Sequence, residues 1–279
     1  MPDLVELTAP GMSLSLDLAA GGRAISWLID GCEVLGARSS QPVEYGMYPM
    51  APWAGRVRDN VLRRGGNAYP LPPSHGEWAL HGTVLDAPAQ LVSSTATDEG
   101  AEAITVADLG PDWPWTGRLT STWRLRADAV TTVLKLETAG EAFPAVLGWH
   151  PWFKRRLGDG TGAQWSLPDP LLAERMEAFR LSGAMTPIDL SRRAFDDAFL
   201  VEARAACIEW PGQLRIDLSS SHPWFVVFDE LPDFICIEPQ SGPPNGINDG
   251  LVAPVTLVAP GQPLELVNEW RVTRGQPEG

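Results

Sequence analysis

Short runs of alternating hydrophobic and polar residues recur along the chain. Ser13–Asp17 reads S-L-S-L-D, Val130–Leu136 reads V-T-T-V-L-K-L, and Leu214–Leu218 reads L-R-I-D-L after a Pro-Gly turn that follows Ile208–Trp210. A period of two places one row of side chains on a core and the other toward water, as in half-buried antiparallel strands. Val255–Trp270 reads as two further strands around a second Pro-Gly turn. The pattern predicts a protein built mainly from antiparallel strands.

Glycine and proline interrupt these runs so often that little room remains for long helices. The chain has 27 Gly and 26 Pro. The best helix candidate is Leu171–Arg180, with hydrophobic residues at Leu172, Met176 and Phe179, and a proline before it and a glycine after it allow only one short helix or an irregular crossing. No repeat or linker divides the sequence. We expect one all-β domain over residues 1–279, arranged as a large sandwich of antiparallel sheets.

Net charge narrows the classes of partner. The 279 residues include 21 Lys and Arg against 35 Asp and Glu, which gives a formal charge of −14. Nucleic acids and anionic membranes bind proteins largely through Lys and Arg that neutralise phosphate, so neither is an expected partner. With 44% hydrophobic and 20% charged residues, the composition is that of a folded protein with a sizeable core.

Neither export nor membrane insertion is predicted. The first residues lack a basic start followed by an apolar stretch, and no segment offers about 18 uninterrupted apolar residues. Cys32, Cys207 and Cys236 are an odd number at wide spacings without a CxxC pair, so we expect reduced thiols and no zinc or redox site. A cytoplasmic location is the resulting expectation.

Twelve tryptophans are an unusual number for a chain of this length. The indole ring has a flat apolar face and one N–H donor, which suits core packing and also stacking on the C–H face of a pyranose. Most of the twelve are expected in the core. Trp53, Trp78, Trp149 and Trp152 fall beside the polar motifs that could carry chemistry.

Three titratable residues stand in distinctive local sequences. His81 lies in W-A-L-H-G-T, His150 in L-G-W-H-P-W-F, and Glu238 at the end of F-I-C-I-E. If Phe234–Glu238 is a strand, Glu238 shares a face with Cys236 and ends at a sheet rim, where functional groups often lie. Such residues are more often structural when taken singly. Alone, they indicate an all-β protein that binds a neutral polar ligand such as a sugar.

A series of motifs runs through most of the chain in a characteristic order. They are MAPWAGRVRDN (Met50–Asn60), YPLP (Tyr69–Pro72), ALHG (Ala79–Gly82), GWHPWF (Gly148–Phe153), FDDAF (Phe195–Phe199), EPQSGPPNGIN (Glu238–Asn248) and LVAPGQPLE (Leu257–Glu265). In this combination the chain resembles the aldose 1-epimerases, or galactose mutarotases. The GWHP and EPxxGPPN segments are fairly specific together, while FDDAF is degenerate.

The resemblance implies a β-supersandwich fold and a cofactor-free, metal-free interconversion of the α and β anomers of a free aldose. Glu238 would be the general base that takes the proton of the C1 hydroxyl, and His150 the general acid that protonates the ring oxygen. His81 would assist near the ring oxygen. Arg56 and Asp196 would hydrogen-bond sugar hydroxyls.

The chemistry suits these residue types independently of the family name. Anomer exchange requires a proton to leave O1 and another to reach O5, so that the ring opens to an aldehyde and closes on its opposite face. One positioned base and one positioned acid suffice, each contributing about 10² to 10⁴-fold. The sequence contains no dinucleotide fingerprint, P-loop or zinc spacing.

Two positions leave details open. Gly55 stands where the family commonly has Asn before the arginine, which removes a hydrogen-bonding side chain and leaves the sugar preference undecided. Asp196 and Asp197 are adjacent, so a strand would point them to opposite faces and only one would face the site.

Alternative functions also fit the sequence. A hexose-6-phosphate 1-epimerase would need a basic pocket, for which Arg58, Arg63 and Arg64 are candidates, although the charge of −14 disfavours an anionic ligand. A glycoside hydrolase would need a second carboxylate, which Asp196 or Glu230 could supply. A non-catalytic sugar-binding module is the third alternative. Either a monomer or a homodimer is compatible with the sequence.

Overall fold

The computed structural model describes residues 4–191, 194–248 and 250–275. The ends of the predicted domain, residues 1–3 and 276–279, lie outside the described residues. Within the described ranges, no helix has the length and hydrophobicity needed to cross a membrane.

Strands account for nearly all regular structure in the described residues. In chain order they are β1 Leu4–Ala9, β2 Met12–Asp17, β3 Arg23–Ile29, β4 Cys32–Glu33, β5 Met47–Met50, β6 Val61–Arg64, β7 Asn67–Pro70, β8 Gln90–Thr97, β9 Gly100–Asp108, β10 Arg118–Arg126, β11 Ala129–Glu137, β12 Phe143–Pro144, β13 Gly148–Pro151, β14 Phe153–Lys154, β15 Gln164–Ser166, β16 Leu171–Arg175, β17 Leu181–Pro187, β18 Asp196–Leu200, β19 Ala205–Trp210, β20 Leu214–Ser220, β21 Trp224–Phe228, β22 Phe234–Gln240, β23 Leu257–Val258 and β24 Leu264–Arg274. Two 3-10 turns span Arg58–Asn60 and Glu177–Phe179.

Two large antiparallel sheets contain most of these strands. The main path of the 12-stranded sheet runs β1-β2-β3-β5-β13-β22-β21-β18-β16-β17, and β4 and β14 add to it beside β3 and β22. The 8-stranded sheet has the order β15-β19-β20-β24-β11-β10-β9-β8. Two-stranded ribbons join β12 with β23 and β6 with β7. The predicted all-β class and large antiparallel sheets are confirmed.

Period-two alternation located the strands well, and the one helix candidate was wrong. Ser13–Asp17, Val130–Leu136 and Leu214–Leu218 all lie within strands. Leu171–Arg180, predicted as a short helix or an irregular crossing, is instead β16 followed by a single 3-10 turn. Backbone pairing of β16 with β17 and β18 overrides the helix-like spacing of its hydrophobic residues. Separately, the three cysteines are unpaired, as predicted.

Aromatic side chains fill the space between the two large sheets. Trp27 of β3 packs edge-on against Trp270 of β24, with 6.5 Å between ring centroids. Trp149 of β13 packs on Trp123 of β10 at 4.6 Å. Because side chains alternate along a strand, His150 points away from this core, onto the open face of the 12-stranded sheet. The candidate site lies on that face.

Candidate active site

His150 is held by two aromatic rings that lie nearly parallel to it. Tyr48 of β5 is directly opposite His150 in the β5–β13 ladder, and their rings stack at 4.8 Å and 21°. Trp152, two residues further along the chain, lies at 5.6 Å and 14°. The Tyr48 hydroxyl and the Trp152 Nε1 both donate to the carbonyl of Val43, at 3.1 and 3.0 Å. This shared acceptor fixes both flanking rings and therefore the plane of the imidazole.

Glu238 contacts His150 from the adjacent strand. Ile235 and Ile237 of β22 are buried in the core, so Glu238 projects from the opposite face. Its Oε1 lies 3.1 Å from Nε2 of His150, and its Oε2 accepts a 3.1 Å hydrogen bond from Nε2 of Gln240. Glu238 is only 2% exposed and His150 only 5% exposed. Both carboxylate oxygens are thus engaged inside the protein.

Burial makes separate charges on these two groups unfavourable. It raises the pKa of Glu238 well above its usual value, with the nearby charge of Asp196 adding to the effect and the Gln240 hydrogen bond opposing it. Burial lowers the pKa of His150 to about 3, and the guanidinium of Arg56 acts in the same direction. Burial therefore favours the uncharged form of the pair, with its titratable proton on the carboxyl, and the 3.1 Å contact is a path along which that proton can move to the imidazole.

His81 is fixed in one tautomer by the backbone of Gly55. The backbone N–H of Gly55 donates to the ring Nδ1 of His81 at 3.2 Å, and the backbone N–H of His81 donates to the Gly55 carbonyl at 3.1 Å. Because Nδ1 accepts, the proton of the neutral ring is on Nε2. Burial, together with the neighbouring His150 and Arg56, lowers the pKa of His81 well below its usual value. The ring meets His150 edge-on at 5.0 Å and can serve as a neutral hydrogen-bond donor.

Two arginines converge on Asp196 of β18. Nη1 of Arg56 lies 3.5 Å from Oδ2 of Asp196, and Nη1 of Arg175 lies 3.7 Å from the same oxygen. Nε of Arg175 also lies 3.3 Å from Oδ1 of Asp197. The guanidinium of Arg56 packs over the ring of Phe179, 3.7 Å from its centroid. This cluster places positively charged hydrogen-bond donors and negatively charged hydrogen-bond acceptors at one wall of the site.

All five residues singled out from the sequence line one cavity of about 210 Å³. They are Glu238, His150, His81, Arg56 and Asp196. The floor between the catalytic candidates and the arginines is apolar and is formed by Ala173, Ala198, Val226 and Phe228. An apolar floor with polar groups around it suits a ligand that has a C–H face and a rim of hydroxyls.

The cavity also contains residues that sequence reasoning missed. Gln240 stood inside the EPQSGPPN motif but was not assigned a role, and Arg175 lay in the segment predicted as a helix. Tyr48 had no signal of its own, because its position opposite His150 depends on the pairing of strands about 100 residues apart. Asp197 also lines the cavity beside Asp196, so the expectation that only one of the two would face it was wrong.

The tryptophans and arginines singled out from the sequence are divided between the cavity and other parts of the structure. Trp53 and Trp149 are core residues, whereas Trp152 lines the cavity. Arg58, Arg63 and Arg64, the candidates for a phosphate-binding pocket, are not among the residues that line the cavity. Arg63 pairs with Asp59 at 3.0 Å, and Arg64 lies over the ring of Trp115 at 5.9 Å.

The backbone conformation at position 55 explains why this residue is glycine. Its φ is +72°, and a Cβ there would lie 3.2 Å from Cβ of Pro244. A side chain would be strained at this φ and would press on Pro244, another residue of the cavity wall. Glycine keeps both the turn and the cavity wall unstrained.

One family model matches nearly the whole chain. The family model for aldose 1-epimerase matches residues 3–267. The uncharacterized protein YphB of Escherichia coli (strain K12) is 24% identical over 284 residues, covering 92% of this chain and 97% of that protein.

Solved structures share the fold at low sequence identity. A galactose mutarotase-like protein from Clostridium acetobutylicum superposes with a TM-score of 0.85 at 15% identity, covering 97% of this chain and 95% of that one. Galactose 1-epimerase from Lactobacillus acidophilus NCFM gives 0.77 at 17% identity, covering 95% and 92%. These likenesses establish the galactose mutarotase-like fold.

Proposed function

The chain belongs to the aldose 1-epimerase family, and from that premise we propose that it interconverts the α and β anomers of a free aldose by general acid–base catalysis. The observation that carries the proposal is the buried contact of 3.1 Å between Nε2 of His150 and Oε1 of Glu238, two residues that line a sugar-sized cavity. This contact brings together the two groups that the reaction requires, Glu238 as proton acceptor and His150 as proton donor.

The reaction follows from the proton balance of this pair. With the shared proton on His150, the carboxylate of Glu238 removes the proton from O1 while the imidazolium gives its proton to O5. The C1–O5 bond breaks and C1 becomes an aldehyde. Rotation about C1–C2 presents the other face, and the two transfers then run in reverse. The pair holds one proton before and after each turnover, so no co-reactant is consumed.

The other cavity residues have supporting roles in the proposal. His81, neutral with its proton on Nε2, donates a hydrogen bond near the ring oxygen. Arg56 and Asp196 bind the hydroxyls at the far side of the ring, over the apolar floor formed by Val226 and Phe228. The C–H face of a pyranose would then pack on the apolar floor, and its hydroxyls would hydrogen-bond to the paired side chains of Arg56 and Asp196.

Charge pairing favours a neutral sugar over a sugar phosphate. Each arginine that lines the cavity has a carboxylate close by: Arg38 with Glu44 at 3.4 Å, Arg56 with Asp196 at 3.5 Å, and Arg175 with Asp197 at 3.3 Å. A phosphate dianion would have to compete with these carboxylates for every guanidinium. The hydroxyls of a free aldose can use both partners of each pair.

A substrate panel tests the proposal against its alternatives. Polarimetry or NMR should show wild-type protein accelerating the mutarotation of α-D-galactose or α-D-glucose well above the spontaneous rate, with glucose 6-phosphate slower and methyl glycosides unchanged. Faster conversion of the 6-phosphate would reassign the substrate class. Hydrolysis of glycosides would point to a hydrolase, and sugar binding without acceleration to a binding module.

A further inference from the structure

Arg23, at the start of β3, is a buried cation that the proposed mechanism does not use. It is completely shielded from solvent and is not among the residues that line the cavity. Burial lowers the pKa of Arg23, because water cannot solvate its charge there. All four hydrogen bonds that its guanidinium makes with described residues go to backbone carbonyls, and none goes to a carboxylate. Desolvating a cation without a carboxylate beside it is unfavourable, and an apolar side chain would fill the same volume without this penalty.

The four carbonyls belong to three separate segments of the chain. Nε donates to the carbonyl of Ala20 at 2.8 Å, shortly before β3. Nη1 donates to the carbonyls of Pro42 at 2.5 Å and Tyr45 at 3.3 Å, in the loop that leads into β5. Nη2 donates to the carbonyl of Leu85. A planar guanidinium presents donors in several fixed directions, so this one side chain ties the three segments together.

The loop of residues 42–45 contains the carbonyl that orients the rings beside His150. Val43 accepts the hydrogen bonds of the Tyr48 hydroxyl and of Trp152 Nε1, at 3.1 and 3.0 Å. The two carbonyls that accept from Nη1 of Arg23 belong to the residue directly before Val43 and to the second residue after it. Because the loop is held on both sides of Val43, the direction of this carbonyl is fixed. Arg23 therefore anchors the acceptor shared by both rings that flank His150.

Arg23 also belongs to a row of side chains that crosses four neighbouring strands. The row runs from Arg23 of β3 through Tyr48 of β5 and His150 of β13 to Glu238 of β22. The guanidinium carbon lies 5.0 Å from the centroid of the Tyr48 ring, and the centroid of the His150 ring lies 4.8 Å from it. Since β5 lies between β3 and β13, Arg23 and His150 contact the Tyr48 ring from opposite sides. Removing the guanidinium therefore takes away a support of the Tyr48 ring, on which the imidazole stacks.

We propose that Arg23 is a positioning residue that keeps Nε2 of His150 within hydrogen-bond distance of Oε1 of Glu238, by anchoring the loop of residues 42–45 and supporting the ring of Tyr48. This inference rests on the proposed function. Since Arg23 does not line the cavity, its loss should leave the affinity for sugar nearly unchanged. It should instead slow the proton transfers, because small misplacements of a catalytic group are costly.

Steady-state kinetics of Arg23→Met test this role, because methionine fills much of the same space but donates no hydrogen bond. For mutarotation of α-D-galactose or α-D-glucose, we expect kcat to fall by about 10 to 100-fold and KM to stay within about threefold of wild type. Arg23→Lys, which keeps the charge and a single donor nitrogen, should have an intermediate kcat. Circular dichroism checks that each variant is folded. An unchanged kcat in folded Arg23→Met would overturn the proposal.

Arg155→Met is the matched control. Arg155 also donates to backbone carbonyls, those of Asp229, Leu231 and Phe234, and it does not line the cavity. Its replacement should lower the melting temperature, as replacement of Arg23 should, but kcat should stay within about threefold of wild type. A loss of kcat in Arg155→Met equal to that in Arg23→Met would attribute the effect to general destabilisation and would overturn the proposal.

A double variant tests the route through Val43 without touching Arg23, and it applies even where Arg23→Met fails to fold. Tyr48→Phe combined with Trp152→Phe keeps aromatic rings beside His150 but removes both donors to the Val43 carbonyl. Each single variant leaves one donor on that carbonyl, whereas the double variant should lose about tenfold or more in kcat. A wild-type kcat in the double variant would overturn the proposal, because the anchored carbonyl would then have no effect on the pair.

Crystal structures separate this inference from the proposed function. If wild-type protein turns over no sugar, the epimerase proposal fails, yet the geometry of the pair still tests Arg23. We expect Nε2 of His150 and Oε1 of Glu238 to be in hydrogen-bond contact in wild type and to lie more than about 3.5 Å apart in Arg23→Met or Arg23→Lys. An unchanged pair in these variants would overturn the role of Arg23 alone.

Discussion

Nε2 of His150 and Oε1 of Glu238 lie 3.1 Å apart, and both side chains are almost completely shielded from solvent. Burial opposes charging of either residue and so favours the form of the pair whose titratable proton is on the carboxyl. The proposed anomer exchange needs the pair in its charged form, with the proton on the imidazole. The residues around the pair therefore control how readily that form is reached.

The raised pKa of Glu238 predicts a stability effect with a defined sign. The folded protein retains a proton that the unfolded chain releases above pH about 4.5, so this contribution to stability is lost as the pH rises. Glu238→Gln removes the ionisation. Its free energy of unfolding relative to wild type should rise by about 1 kcal/mol or more between pH 5 and pH 8, measured by urea unfolding. Glu230→Gln, at an exposed position, should show no such trend. A difference for Glu238→Gln that is the same at both pH values would contradict the account.

Gln240 should control how readily Glu238 gives up its proton to His150. Its amide donates to Oε2 of Glu238 at 3.1 Å and lowers the pKa of that carboxyl. Gln240→Leu keeps the shape but removes the donor, so the charged form of the pair becomes rarer and kcat should fall. The pair should also keep its one proton to higher pH, so the alkaline limb of the kcat/KM profile should move to higher pH. A loss of activity without any shift of the alkaline limb would indicate a purely structural role.

Tyr48 should act through its ring more than through its hydroxyl. Tyr48→Phe loses the 3.1 Å bond to Val43 but keeps the stack on His150. Its kcat should stay within about threefold of wild type, while Tyr48→Leu should lose about 10 to 100-fold, because small misplacements of a catalytic group are costly. Steady-state kinetics, with circular dichroism to check folding, decide this. Equal activities of the Phe and Leu variants would exclude a positioning role for the ring.

Arg56 should affect substrate affinity more than turnover. Loss of a charged hydrogen-bond donor costs about 1.5 to 3 kcal/mol, so Arg56→Ala should raise KM by roughly 10 to 100-fold. Arg63→Ala removes an exposed arginine that pairs with Asp59, outside the cavity, and serves as the matched control. Unchanged KM and kcat in Arg56→Ala would remove Arg56 from the sugar site.

The sequence predicted strands and shared side-chain faces where these depend on the alternation of neighbouring residues. Alternation predicts that Glu238 shares a face with Cys236 and that Ile235 and Ile237 share the other, but it does not tell which face meets the main core, because Cys236 is as deeply buried as the two isoleucines. The positions of Tyr48 and Arg175 follow from long-range strand pairing, which a single sequence does not encode locally. Spacing of Leu172, Met176 and Phe179 matched a helix, yet the sheet supplied better hydrogen-bond partners to this segment.

The aspartates show a similar limit. Alternation does bury Phe199 in the core and turn Ala198 to the cavity floor. Asp197 nevertheless lines the cavity, where its Oδ1 lies 3.3 Å from Nε of Arg175 on the neighbouring strand. A long arginine side chain can thus bring together groups that the period of a strand would separate.

The most direct test of the acid–base pair is polarimetry on freshly dissolved α-D-galactose and α-D-glucose with wild-type protein, Glu238→Gln and the exposed-site control Glu230→Gln. We predict that wild type and Glu230→Gln accelerate mutarotation equally and that Glu238→Gln loses at least about 100-fold in kcat. Wild-type rates in Glu238→Gln would contradict the assignment of Glu238 as the base and with it the account of this site.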